Sequence, residues 1–137
     1  MNHYLRQMIR ALGWVLLFVW AAMLLILLQF LVLKLLNRDW RGFTGEFAAG
    51  YLQWLLLTAL GLYAGYSLAR LRRHALPAIL LLTAALTLVY TLSYSIPFLT
   101  ASQLPPALIA VHLFFLLVIV VHLAALLLAF INHRRFP

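Results

Sequence analysis

The sequence predicts an all-α integral membrane protein: four antiparallel transmembrane helices in an up-down-up-down bundle, with both termini in the cytoplasm. Three observations predict it. Hydrophobic residues make up 67% of the 137 positions and charged residues 9%, with mean hydropathy +1.08, against about 45–50% and about 25% in soluble domains. The apolar residues fall into four runs, each near the ~20 residues that a membrane helix needs. The runs lack strand alternation, and lipid offers no partner for open backbone groups, so helix is the form expected of each.

The first span is expected at about Ala11–Leu36. It is too long for the core of a signal peptide, about 7–15 residues, and its excess length implies tilt or outward snorkelling of Lys34. LNRDWRGFTGE, with Gly42, Gly45 and a candidate N-cap at Thr44, leads to the second span at about Phe47–Ala69. RLRRH joins it to the third, Ala75–Phe98, and TASQLPP leads to the fourth, Pro105–Ile131, where Pro105 or Pro106 suits a first helical turn. Short links make sequential helices neighbours in a single transmembrane domain spanning residues 1–137.

Charge sets the expected orientation. Arg6, Arg10, Arg70, Arg72, Arg73, Arg134 and Arg135 fall on one side, while Lys34, Arg38 and Arg41 on the other are offset by Asp39 and Glu46. The positive-inside rule therefore puts the N and C termini in the cytoplasm, and the expected location is a bacterial cytoplasmic membrane. Tyr4 and Trp14 near one face and Trp40 near the other fit interfacial belts. The net charge of +8 is spread between hydrophobic runs, which points to lipid headgroups, with Arg70, Arg72, Arg73, Arg134 and Arg135 as topology determinants, and away from nucleic acid. With no cysteine in the chain, disulfides and iron–sulfur clusters are excluded.

The polar residues inside the spans carry what functional information there is. On the fourth span His112, Phe115, Ile119, His122, Leu126, Ala129 and His133 recur at alternating spacings of 3 and 4, so both mid-span histidines belong to one inward seam. The third span has a matching hydroxyl stripe of Thr83, Thr87, Tyr90 and Tyr94, with Thr91 and Ser95 beside it. Reflecting each hairpin about its loop pairs Tyr94 with His112, Thr83 with His122 and Gln29 with Gln53. Gln29, Gln53, Tyr94 and His112 then form one polar layer about 8–11 Å below the outer surface, and Thr83 with His122 a second, deeper one. Small residues at Gly61, Gly65 and Ala69 form a helix-packing face.

An ionisable residue in a membrane span is a candidate site. The plainer alternative is that imidazoles and hydroxyls bond across helices and fix the packing. No glycine-rich phosphate loop, HExxH or GxSxG motif occurs, and no acid lies in mid-span. The expected function is therefore that of a non-catalytic membrane subunit, or an accessory or assembly factor, of a respiratory or transport complex. It would have no cofactor, and would partner lipids, other membrane subunits or itself. Two alternatives stand beside it. One is a redox subunit binding haem b or a quinone at His112. Because His112 and His122 share one helix about 15 Å apart, a bis-histidine haem would need a second chain. The other is a small homo-oligomeric channel or transporter with its path along helix three.

Overall fold

The first helix begins before its apolar run does. In the computed structural model, which describes residues 3–37, 45–95, 106–132 and 134 (excluding the side chains of Glu46, Tyr94, Ser95 and Leu108), α1 spans His3–Leu36. Its first two turns are polar and exposed except on one side, where Ile9 is buried and Leu5 packs beside it. An inward stripe of this kind continues a helix beyond the lipid-soluble segment.

The other helices are α2, Gly45–Ala69; α3, Ala75–Tyr90; and α4, Pro106–Asn132. Four helices are long and apolar enough to cross a membrane, and the described residues include no strand. This is a multi-pass helical membrane protein. Pro77 sits in the first turn of α3, where its missing N–H is one the helix could not use. Pro106 opens α4 in the same way.

The third helix does not run regularly to Phe98. After Tyr90 it widens into a π-type turn over Thr91–Ser95. Pro97 follows two residues later, and a proline disfavours the α conformation just before it while removing a donor. Residues 96–98, the 38–44 connection and Pro105 lie outside the described residues.

The α2–α3 connection is tighter than its charges suggest. Leu71 N donates to Leu68 O at 3.0 Å and Arg72 N to Ser67 O at 2.8 Å, the paired bonds of a Schellman ending. Leu71 holds the left-handed position, φ 55°, that usually falls to glycine. Its side chain compensates by turning into the core, where it is 1% exposed.

That core occupies one end of the bundle. Ile9 and Leu16 from α1, Ala64 and Leu68 from α2, Ala75, Ile79 and Leu82 from α3, and Ala125 and Ala129 from α4 share it with Leu71. Glycines set how closely α1 and α2 meet there. A Cβ at Gly13 would collide with the Ala69 backbone, one at Gly61 with the Trp20 ring, and one at Gly65 would lie 2.7 Å from Leu17 N. Beyond Trp20, α1 buries nothing further.

Candidate functional site

Both mid-span histidines are held by partners from other helices. His122 is 1% exposed on α4. Trp20 Nε1 of α1 donates to its Nε2 at 3.2 Å, and its Nδ1 lies 2.7 Å from the Val118 carbonyl one turn back. Nδ1–H donating and Nε2 accepting uses both nitrogens of a neutral ring. The rings of Trp20 and His122 meet edge to face at 5.9 Å.

One layer out, the Tyr90 hydroxyl of α3 lies 2.8 Å from each ring nitrogen of the half-buried His112. The Phe115 ring lies tilted against Tyr90 at 6.2 Å and against Trp54 of α2 at 5.9 Å. An aromatic column thus joins α2, α3 and α4 at this level.

The pairing differs from depth matching along the sequence. Tyr90, one turn inward of Tyr94, takes His112; the Tyr94 side chain lies outside the described residues. Thr83 is buried, but its hydroxyl donates to Ile79 O of its own helix at 2.7 Å, and Trp20 takes the position facing His122. Thr87 and Thr91 donate to Thr83 O and Thr87 O, each at 2.8 Å. The hydroxyl stripe is thus turned back on α3. On α4, Phe115, His122 and Ala129 face inward as the seam predicts. Ala125 and Asn132 are buried beside them while Ile119 and Leu126 are only half-buried, a slip of one residue. His133 and Arg135 lie outside the described residues.

The outer polar layer does not assemble. Gln29 and Gln53 are both exposed, and neither amide has a hydrogen-bond partner among the described residues. The reason is geometric. In this half, contacts persist within the α1–α2 hairpin: Tyr51 Oη donates to Leu27 O at 2.8 Å, and Phe30 meets Phe47 at 5.6 Å. Between the hairpins the bundle opens beside the Trp54–Phe115 contact. A cleft of about 600 Å³ between α2 and α3 is lined by Leu56, Leu60, Leu81, Leu88 and, at its outer end, Gln53 and Ser93. A second, of about 270 Å³, lies among Trp20, Met23, Trp54, Phe114 and Phe115.

Gly61 and Gly65 are consumed by the α1–α2 contact, and Ala69 is met by Gly13, a residue the sequence reading missed. Arg70, Arg72, Arg73 and Arg134 are exposed. Trp20 was also missed, although a mid-span indole N–H that needs an acceptor was a readable signal. No group of three or more His, Cys, Asp or Glu that could hold a metal occurs among the described residues. Compared with protein-family models, with curated proteins and with solved structures, the chain gives no match in any of the three.

Proposed function

We propose that the protein is a non-catalytic membrane subunit or accessory factor that docks other transmembrane segments against its open half. The observation that carries this reading is the pair of exposed amides, Gln29 and Gln53, on apolar helices. Gln29 stands about 10 Å inside the end of α1. In hydrocarbon an amide without a partner is unfavourable, and glutamine bonded across helices is a recurring means of joining membrane segments. In the closed half His122, Trp20 and Thr83 are by contrast already bonded within the chain, although the buried Ser67 hydroxyl has no partner among the described residues.

Antiparallel topology is part of the reading. It is supported by the order of α1–α2 contacts: Gly13 with Ala69, Leu17 with Gly65, Trp20 with Gly61, Leu27 with Tyr51, and Phe30 with Phe47. Cytoplasmic termini in a bacterial inner membrane are supported by the excess of arginine at the closed end.

The test is native mass spectrometry of the chain extracted from its own membrane in mild detergent. Wild type should carry another polypeptide, or further copies of itself, at fixed stoichiometry. The Gln29→Leu/Gln53→Leu variant should lose it while keeping its helical content. Recovery of wild type as a lone chain would refute the reading.

One observation favours a second reading, a quinone-binding subunit: the Tyr90–His112 pair beside the π-type turn, a feature often found at functional sites. A bound quinone lost in His112→Leu would support it, and unchanged ligand content in that variant would remove it.

A further inference from the structure

The turn between α2 and α3 places two guanidinium groups on one aromatic ring. Arg72 Cζ lies 5.0 Å and Arg70 Cζ 5.8 Å from the Tyr66 centroid, and Arg72 Nη2 donates to the Tyr66 hydroxyl at 3.4 Å. Both arginines are exposed and Tyr66 is half-buried. The arrangement is fixed by the backbone. Leu71, between them, is turned into the core by its left-handed conformation and the two Schellman bonds, so its neighbours emerge on the outside.

We propose that Arg70 and Arg72, clamped on Tyr66, form a site for the headgroup phosphate of an anionic phospholipid. The inference rests on the membrane-spanning fold; only the far end of its apolar track, Leu56 and Leu52, borders the cleft between α2 and α3. Charge is the first argument. The chain contains two acids, Asp39 and Glu46, and both belong to the α1–α2 connection or the helix start beside it. Among the described residues no side-chain carboxylate lies at the arginine end, so Arg70 and Arg72 have no acidic side chain there to neutralise them. Each guanidinium offers a planar fork of donors that matches a phosphate, and Arg72 uses only one of its five on Tyr66.

The second argument is what lies beneath the clip. The face of α2 carrying Tyr66 continues as Tyr63, Ala59, Leu56 and Leu52 at spacings of 3 and 4, all exposed, with Leu56 63% and Leu52 56% accessible. That gives an apolar track about 20 Å long, running from the clip along the span. A phosphate with an acyl chain beneath it fits both features, whereas a free phosphate fits only the first.

The experiment uses the purified full chain in detergent with equal amounts of phosphatidylglycerol and phosphatidylcholine, read by native mass spectrometry. Wild type should retain phosphatidylglycerol preferentially. Arg70→Gln/Arg72→Gln should lower its relative occupancy at least about tenfold, through loss of charge-assisted hydrogen bonds to the phosphate. Arg6→Gln/Arg10→Gln removes the same charge at the same end and should change occupancy less than about threefold. Tyr66→Leu, which keeps both arginines, should also reduce it. Equal losses in the two double variants would mean diffuse attraction and overturn the site. So would equal retention of the two lipids by wild type. Displacement of the lipid by excess inorganic phosphate would identify free phosphate as the ligand and overturn the lipid.

Discussion

Replacing Gly13 by alanine adds one methyl group where α1 crosses α2. Built on the backbone, that methyl collides with Ala69 N and stands 2.7 Å from Ala69 Cα and 2.8 Å from the Leu68 carbonyl carbon. Carbon atoms prefer about 3.5–4.0 Å, so the helices must part by about 1 Å, and a gap of that size forfeits a quarter to a half of each neighbouring contact. The obstacle is backbone, so no rotamer change relieves it. Overpacking of this kind costs about 1–3 kcal/mol. Alanine also gains helix propensity over glycine, about 0.8–1.0 kcal/mol, which would mask part of the loss. Gly50→Ala supplies the correction, because a Cβ there meets nothing within 4 Å and gains the same propensity. The assay is equilibrium unfolding of both variants in mixed micelles, followed by helical circular dichroism. Gly13→Ala should be about 1–3 kcal/mol less stable than Gly50→Ala. Equal stabilities would refute the close crossing of α1 and α2 at this point, and with it the account of why the bundle closes at this end.

Three further outcomes follow from the same contacts. Leu71→Ala should destabilise by about 2–5 kcal/mol through loss of a buried side chain. Leu71→Gly, which loses as much packing but relieves the left-handed backbone, should be the milder change by about 1 kcal/mol; unfolding midpoints in the opposite order would show that the turn is unstrained. A double-mutant cycle of Trp20→Phe and His122→Leu should give a coupling near the ~0.6 kcal/mol average for hydrogen bonds between membrane helices, and zero coupling would separate the two rings. Thr87→Val and Thr91→Val should leave stability within about 0.5 kcal/mol and leave vesicle flux of protons and common ions unaltered. Loss of a flux that wild type supports would restore the hydroxyl stripe as a conduction path.

Four spans were legible because each is an uninterrupted apolar run, and the ends at Leu36, Ala69 and Ala75 were marked by charge. The polar start of α1 was not, because hydropathy ends where lipid does while a helix continues as long as one side is buried; Ile9 alone marked that side. Leu71 was illegible for a related reason. Left-handed C-caps are normally read from glycine, and RLRRH presents a leucine flanked by cations. The inward placement of Phe115, His122 and Ala129 was readable from the 3–4 spacing, which depends on one helix only. Their partners were not. Matching depths by counting from a loop assumes helices that stay side by side, and it therefore paired Gln29 with Gln53 and His112 with Tyr94. The hairpins part instead toward the outer end, leaving both glutamines exposed, and Tyr90 reaches His112 from the last regular turn of α3.

Where the bundle closes is governed by where its small residues meet something. Gly13, Gly61, Gly65, Ala75, Ala125 and Ala129 are all buried near the arginine end, and the three glycines each let a neighbouring backbone or ring approach. From Met23 to Leu36, α1 has no glycine or alanine at all, so its backbone is kept at the distance its long side chains impose. On α2 the run Ala48, Ala49 and Gly50 does offer small residues at this level. Gly50, however, faces a hollow of about 270 Å³ bounded by Leu27, Phe30, Phe47, Tyr51 and Trp54, with nothing within 4 Å of where its Cβ would be. A small residue opposite open space does nothing for the bundle itself, and helix propensity alone would favour alanine there. The same half of the molecule carries the two unbonded amides, so the polar groups and the close-approach surface that the fold leaves unused lie toward the same end. One occupant, a transmembrane segment from another chain, would satisfy both.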